Sequence, residues 1–195
     1  MKVIIKSKEC VFDDLFKIDR AVIQYEKFDG TMTNDVVRFN FDRGNSVGIL
    51  LVNPQKQSII LTRQFRYPAY VADETNGWLL EIVAGMIEPG VEILEAAKHE
   101  LLEEVGYAVD KFEPIHIFYP SPGGTSEKVY LYYAEVNEAQ KTDKGGGLAG
   151  EGEDIQIVEL PIAEVLRLLD SGQIRDAKTI IALQWLSQKV NKKRD

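Results

Sequence analysis

The segment Gly85–Tyr107, GMIEPGVEILEAAKHELLEEVGY, joins a glycine-containing loop to a predicted helix that carries three clustered carboxylates. Glu100, Glu103 and Glu104 stand at positions i, i+3 and i+4, which share one side of a helix. Carboxylates this close together repel one another and destabilise a helix that has nothing to compensate them. Because Mg²⁺ and Mn²⁺ prefer hard oxygen ligands, the spacing favours a divalent-metal site.

The neighbouring residues predict a short helix, over about residues 92–105, whose other side is buried in a core. Apolar residues recur there at three- and four-residue steps, namely Leu94, Ala97, Leu101 and Val105. Gly106 stands where the C-terminal cap of a helix belongs. The alternative interpretation is a solvated acidic face, which many surface helices have. A core-anchored helix that follows a glycine loop favours the metal platform.

The remaining pattern predicts a mixed sheet between helices. Strands are expected over about residues 46–52, 58–65, 79–84, 115–119, 128–135 and 154–160, and helices over about 162–170 and 177–190. Residues 1–43 predict a small antiparallel sheet with a hairpin turn at Asp29-Gly30. Strands and helices do not alternate strictly, which argues against a doubly wound parallel sheet.

The segment Gly85–Tyr107 resembles the Nudix box, G-x5-E-x7-R-E-U-x-E-E-x-G-U, in which U is a bulky aliphatic residue. Gly85 opens the pattern, and the acidic run that ends it is intact. Two positions depart from the pattern, since Val91 stands where the family has Glu and His99 where it has Arg. In the family these two residues are thought to pair and brace the loop. The departures therefore affect that ion pair and leave the metal-binding carboxylates unchanged.

The resemblance extends over most of the chain. Segments similar to the ADP-ribose pyrophosphatase branch of Nudix hydrolases are WLLEIVAGMIE (78–88), SPGGTSE (121–127), GLAGEGEDI (147–155) and IIALQWL (180–186). The segment FDRGNSVGILLVN (41–53) also resembles the related GDP-mannose hydrolases. The resemblance implies a Nudix α/β/α sandwich over residues 44–195, preceded by a domain-swapped β-sheet arm over residues 1–43.

The resemblance implies metal-dependent hydrolysis of the pyrophosphate bond in a nucleoside diphosphate sugar, with Mg²⁺ as the cofactor and Mn²⁺ as a possible substitute. The implied metal ligands are Glu100, Glu104, Glu153 and a backbone carbonyl near Ala84. The implied catalytic residues are Glu151, as general base, and Glu103, which either ligates the metal or acts through its charge. Glycines would let the loop that carries Glu151 swing over a substrate. The alternative for this loop is a solubilising linker.

Substrate contacts are expected from two regions of the chain. Arg66 is the candidate phosphate clamp, because a guanidinium binds phosphate oxygens in bidentate fashion. The alternative for Arg66 and Arg63 is that one or both lie solvated at a strand end. The loop Ser121–Glu127 would hold the second sugar, with Glu127 at the family position that bonds the terminal ribose. The full set of expected substrate-binding residues is Arg66, Arg38, Glu127, Gly124, Ser121, Phe16 and Glu81. Arg38 would lie against the adenine from the partner subunit, and Phe16 would face the other side of the ring.

Composition restricts the location and the partners. The net charge of −8 argues against a surface that binds nucleic acid or an anionic membrane. Cys10 is the only cysteine, so no intramolecular disulfide can form, and no apolar run reaches the roughly 18 residues of a membrane span. We therefore expect a cytoplasmic protein. A homodimer is expected because the small N-terminal sheet needs another surface on which to pack.

Three functions remain open from the sequence. The first is hydrolysis of ADP-ribose to AMP and ribose 5-phosphate, and a close variant is hydrolysis of GDP-mannose or another nucleoside diphosphate sugar. The second, from a different class, is a catalytically inactive sensor of nucleotide sugars, which the departures at Val91 and His99 would permit. The third is a purely structural protein, against which the carboxylate cluster argues.

Overall fold

In the computed structural model, which describes residues 1–73, 76–148, 150 and 152–191, the chain divides into two compact units. The first unit contains Met1–Asn45 together with the segment Tyr119–Lys128. The second unit contains Ser46–Phe118 and Val129–Asp195. The predicted sugar-binding loop therefore belongs to the N-terminal unit, although more than seventy residues of sequence separate them.

The first unit is an antiparallel sheet of three strands. Its strands are β1 (Val3–Asp13), β2 (Lys17–Tyr25) and β3 (Val36–Asp42), in the order β1-β2-β3. The turn predicted at Asp29-Gly30 is present, with Gly30 at a φ of 81° and the Lys27 N–H donating to the Thr31 carbonyl. The segment Tyr119–Lys128 attaches to the end of β3, where the Phe41 N–H donates to the Gly124 carbonyl at 2.8 Å.

The second unit is built on a seven-stranded sheet with the strand order β10-β5-β4-β9-β8 and two short additions. Its strands are β4 (Ser46–Asn53), β5 (Ser58–Phe65), β6 (Trp78–Glu81), β7 (Val83–Met86), β8 (Glu113–Phe118), β9 (Val129–Glu135) and β10 (Gln156–Pro161). Strand β6 pairs with β5, and β7 pairs with β4. The β4–β9 pair is parallel and the others are antiparallel, which confirms the predicted mixed sheet.

The helices of the second unit are α1 (Tyr67–Asp73), α2 (Ile93–Glu100), α3 (Ile162–Asp170) and α4 (Ala177–Asn191). A π-helical turn, Leu101–Val105, continues α2, and a short 3₁₀ helix spans Glu138–Gln140. Within the described parts of the chain, no helix is long and apolar enough to cross a membrane.

Strand β4 explains why helices cover both faces of this sheet. It is buried along its whole length, as expected for a central strand with apolar residues on both faces. Val47, Ile49 and Leu51 pack in one core with the buried residues of α2 and the π turn, Ala96, Ala97, Leu101 and Val105. Leu50 and Val52 pack in the other core with residues of α3 and α4. The second unit is therefore a three-layer α/β/α sandwich.

Candidate active site

The glycine loop lies directly beside the carboxylate-bearing helix. Strand β7 places Ala84 opposite Gly48 and Gly85 opposite Val47 of β4. The carboxylate of Glu100 lies against Gly85, and a Cβ atom at that position would overlap it. Gly85 is therefore required by close approach, which is one of the established uses of glycine.

Glu104 is buried where its charged form has little compensation. Its residue is only 3% exposed, and its Oε2 accepts a hydrogen bond from the Ala84 N–H at 3.4 Å. Burial, together with the neighbouring charges of Glu100 and Glu153, raises the pKa of Glu104 to about 8. A bound divalent cation would remove most of this cost, so the pair Glu100 and Glu104 fits the metal-binding expectation.

Around the π-helical turn, the three carboxylates that an α-helix would place on one side differ in exposure. Glu104 is buried, Glu100 is partly exposed, and the side chain of Glu103 is exposed. Such single π turns are rare and are often found at functional sites. Glu103 lies beside the other two along the chain but does not share their buried environment.

A glycine-rich loop is fastened to the end of this helix by backbone hydrogen bonds. The Gly146 N–H donates to the Glu104 carbonyl at 2.9 Å, and the Gly147 N–H donates to the Glu103 carbonyl at 3.0 Å. Gly147 has a φ of 80°, and a Cβ atom there would lie 2.8 Å from Oε2 of Glu153. These bonds bring Glu153 close enough to Glu104 to influence its pKa. Glu151, the expected general base, lies outside the described residues.

The carboxylates do not form a closed ligand set in this structure. Among the residues described, no three His, Cys, Asp or Glu side chains converge closely enough to hold a metal ion. The Glu153 carboxylate accepts a hydrogen bond from the Leu148 N–H at 3.1 Å. The donors at hand are nevertheless all oxygen atoms, as Mg²⁺ and Mn²⁺ require.

A second buried cluster surrounds Glu81, whose residue is only 1% exposed. Arg66 donates to it in bidentate fashion, with Nε to Oε1 and Nη2 to Oε2 both at 3.0 Å. Lys178 also donates to Oε2 of Glu81 and is held by Asp176 at 3.0 Å. Burial alone raises the pKa of Glu81, but the hydrogen bonds and charges of Arg66 and Lys178 outweigh it and lower that pKa. Glu81 therefore carries a full charge between two cations.

Lys178 was not among the predicted site residues. A local signal was present for its neighbour Asp176, because Asp is one of the residues preferred at the N-cap of a helix. Asp176 does cap α4, accepting a hydrogen bond from the Thr179 N–H at 2.9 Å. Nothing local indicated that Lys178 would reach Glu81, which is 97 residues away in sequence. Arg63, by contrast, is exposed at its strand and bonds Gln156 at 3.4 Å.

The expected substrate contacts in the first unit gather around Arg43 and not around Arg38. The Phe16 ring packs edge to face on Phe41, with 5.3 Å between centroids, and the Arg43 guanidinium lies 5.7 Å from the centroid of Phe16. Glu127 is buried, with Oε2 at 3.7 Å from Arg43 Nε. Arg38 is exposed and donates to the Val37 carbonyl.

The loop Ser121–Glu127 forms a tight turn. The Ser121 carbonyl accepts hydrogen bonds from the N–H groups of Gly124 and Thr125, at 3.0 and 3.1 Å. The space beside Gly124 is open, since no atom lies within 4 Å of a Cβ atom placed there. The turn therefore leaves room for a ligand next to Gly124 within this unit.

The two departures from the box have different surroundings. Val91 is partly buried and packs against the apolar core below α2. His99 is exposed. In the family pattern, Glu and Arg at these two positions would form an ion pair. Here Val91 packs on the apolar core instead, and neither charged member of that pair is present at these two positions.

Comparison with known proteins agrees with this geometry. The NUDIX domain family matches residues 42–183. The chain is 38% identical over 180 residues to a GDP-mannose pyrophosphatase of Pectobacterium atrosepticum, covering 92% of this chain and 91% of that protein. It is 36% identical over 180 residues to the ADP-ribose pyrophosphatase of Escherichia coli K12, covering 92% and 85%. A solved structure described as an ADP compounds hydrolase matches with a TM-score of 0.74, 23% identity and coverage of 99% and 96%.

The fold, the box and these similarities define one class. The chain belongs to the Nudix family, and its second unit has the expected Nudix α/β/α sandwich.

Proposed function

We propose that the protein hydrolyses the pyrophosphate bond of nucleoside diphosphate sugars with the help of a divalent metal. The observation that carries the proposal is the buried carboxylate of Glu104 beside Glu100, on a helix whose end is fastened to a second acidic loop. Ionising this buried carboxylate costs free energy when no counter-charge is present, and a bound cation would supply that counter-charge. The names of the relatives support the same reaction type.

Glu100 and Glu104 would hold the metal, Mg²⁺ or Mn²⁺, with the Ala84 carbonyl and Glu153 as further ligands. When bound, the ion would supply positive charge to the pyrophosphate oxygens and to the attacking water. Glu151 would accept the proton of that water as it attacks one phosphorus and the bond to the bridging oxygen breaks. Glu103, with its exposed side chain, would act through its charge or as an additional ligand.

Arg66 would bind the pyrophosphate with the N–H groups that Glu81 does not use. A guanidinium has five N–H donors, and the Glu81 carboxylate occupies two of them. Glu81, committed to Arg66 and Lys178, would act by fixing these two cations rather than by touching the substrate. Ser121, Gly124 and Glu127 would contact the second sugar, and Arg38 and Phe16 would contact the base.

We take ADP-ribose as the first candidate substrate, giving AMP and ribose 5-phosphate, because the GLAGEGEDI loop resembles the ADP-ribose branch. GDP-mannose is the second candidate, since relatives of either name are about equally similar to this chain. A test incubates the protein with ADP-ribose, GDP-mannose and other nucleoside diphosphate sugars, with Mg²⁺ or with a chelator, and measures the released phosphomonoester. Metal-dependent release from at least one is expected. No release from any would contradict the proposal and favour the sensor.

A homodimer in the cytoplasm is part of the same proposal. The first unit exposes apolar side chains, among them Val37 and Phe39, which is unusual for a small sheet that stands alone. Exchange of this unit between two protomers would cover them. The single exposed Cys10 suits a reducing compartment. Sedimentation should give a dimer at micromolar concentration, and a monomer would refute this part.

A further inference from the structure

The end of β3 and the loop that precedes β9 are joined residue by residue. Phe41 forms a β-bridge with Thr125, and its N–H donates to the Gly124 carbonyl at 2.8 Å. Two positions further along, Arg43 faces Glu127. Two positions beyond that, Asn45 Oδ1 accepts a hydrogen bond from the Lys128 N–H at 3.0 Å. The Asp42–Asn45 segment, which the proposed chemistry does not use, thus holds the loop that carries Glu127.

The contact between Arg43 and Glu127 joins two charged side chains. The Arg43 Nε atom is buried and, within the described residues, has no hydrogen-bond partner. Oε2 of Glu127 lies 3.7 Å away, beyond hydrogen-bond distance but close for an ion pair. The guanidinium also lies 5.7 Å from the centre of the Phe16 ring, within range of a cation–π contact. Its side chain is therefore fixed between a ring and a buried carboxylate.

We propose that Arg43 is a positioning residue that holds the Glu127 carboxylate in the orientation needed to accept hydrogen bonds from the distal sugar of the substrate. The role rests on the proposed function, because it assigns a sugar contact to Glu127. Arg43 acts through Glu127 and does not itself touch the substrate. Because the Glu127 carboxylate is buried and the Arg43 Nε atom beside it is shielded from water, their attraction is screened less than that of an exposed ion pair.

The test is a double-mutant cycle with Arg43→Lys and Glu127→Gln, measured on two substrates. One is the nucleoside diphosphate sugar that the wild-type protein hydrolyses, and the other is the same nucleoside diphosphate esterified with a simple alkyl group that has no hydroxyls. Arg43→Lys keeps the positive charge but loses the planar guanidinium group with its rigidly arranged N–H donors. We expect each single variant to lower kcat/KM about tenfold on the sugar substrate and clearly less on the alkyl ester.

The cycle distinguishes positioning from a merely structural role. If Arg43 acts through Glu127, adding Arg43→Lys to Glu127→Gln should cost no further activity on the sugar substrate. Equal losses on both substrates, additive losses in the double variant, or no loss at all would overturn the proposal. The matched control is Arg20→Lys, which changes an arginine of the same unit with a similar exposed fraction; Arg20 pairs with the exposed Glu9 at 3.1 Å, and the variant should behave as wild type.

Two further measurements keep the result interpretable. Thermal unfolding midpoints show whether Arg43→Lys folds, and Arg43→Gln replaces it if it does not, with the same expected selectivity. A wild-type protein that hydrolyses neither substrate contradicts the proposed function. A wild-type protein that hydrolyses both, with variants that show no sugar selectivity, contradicts the role of Arg43 alone.

Discussion

The carboxylate of Glu100 occupies the space that a side chain at Gly85 would fill. This contact joins the first residue of the glycine loop to the first carboxylate of the helix, fifteen positions further along the chain. Both residues lie in the second unit, and β7 fixes one while α2 fixes the other. Because Gly85 has no Cβ atom, β7 and α2 can approach each other this closely.

Replacement of Gly85 by alanine should displace Glu100 and impair the metal site. We expect kcat with Mg²⁺ to fall about 100-fold, since a displacement of about 1 Å is enough for such a loss. The matched control is Gly172→Ala, where the backbone has a φ of 72° and the space is open. That variant should lose some stability through backbone strain and keep its kcat. Comparable kcat values for Gly85→Ala and the wild type would show that the contact is unimportant.

Glu104 should make the metal-free protein less stable as the pH rises. Its pKa is about 8 in the folded protein and about 4.3 in an unfolded chain. The folded protein thus retains the proton longer, and the stability from this residue is complete below about pH 4 and lost as the pH passes 8. In chelator, Glu104→Gln should become more stable than the wild type across this window, by about 4 to 5 kcal/mol near pH 8.

Denaturant unfolding at several pH values measures this difference. Glu103→Gln is the stability control, because its side chain is exposed and should follow the wild-type curve. Parallel curves for Glu104→Gln and the wild type from pH 5 to 8 would contradict the buried charge at Glu104.

The cluster around Glu81 should support both stability and substrate binding. Glu81→Gln leaves Arg66 and Lys178 without their shared counter-charge, and we expect a loss of about 2 kcal/mol. That figure lies below the range for a fully buried pair because Arg66 is partly exposed. The KM for the substrate should also rise, since Arg66 is no longer held in place. Chemical denaturation and steady-state kinetics measure the two effects.

The control for this variant is Glu95→Gln, which removes an exposed carboxylate that pairs with Lys98 at 2.8 Å. Glu95→Gln should change neither the free energy of unfolding nor the KM appreciably. An unchanged KM in Glu81→Gln would show that Arg66 does not need Glu81 in order to bind the substrate.

Gly147 should be needed for the placement of Glu153. Alanine at this position would have a φ of 80° and a Cβ atom 2.8 Å from Oε2 of Glu153. We expect Gly147→Ala to need more Mg²⁺ for half-maximal rate, by about tenfold. Gly152→Ala has a similar φ of 74° but open space, and its effect should be clearly smaller. Equal effects of the two would assign the loss to backbone strain.

Most elements could be predicted because their apolar pattern matches their burial. Strand β5 and helix α3 have the predicted bounds, since each has a strong pattern of its own. The apolar residues at positions 3–5 predict only the start of strand β1, because residues 6–13 are exposed and their strand depends on pairing with β2. Helix α1 was not predicted, because its seven residues include none that is buried.

The path of the chain around Ile82 could not be predicted. A single strand was expected over about 79–84, but β6 pairs with β5 and β7 pairs with β4. Ile82 lies between them, and its N–H donates to Thr179 Oγ1 at 2.9 Å. A local apolar pattern does not reveal which neighbour each half will pair with.

Contacts among the candidate site residues were predictable where they are local and not where they join distant segments. The box spacing puts Glu100 and Glu104 on the same helix, where the charge of Glu100 acts on Glu104. The expectation that Leu94 is buried was wrong, since its side chain is 43% exposed, while Ala96 and Ala97 fill that face. The contacts of Lys178 with Glu81 and of Arg43 with Glu127 depend on the folded chain, and no spacing in the sequence indicates them.

Binding of Mn²⁺ to the carboxylate pair tests the central claim most directly. The protein is titrated with Mn²⁺ in the presence of a non-hydrolysable nucleoside diphosphate sugar analogue, and the electron paramagnetic resonance signal of free Mn²⁺ is recorded. The wild-type protein should remove Mn²⁺ from solution, and Glu104→Gln should bind it at least tenfold more weakly. Equal binding by the two proteins, or no binding by the wild type, would contradict a metal site at Glu100 and Glu104.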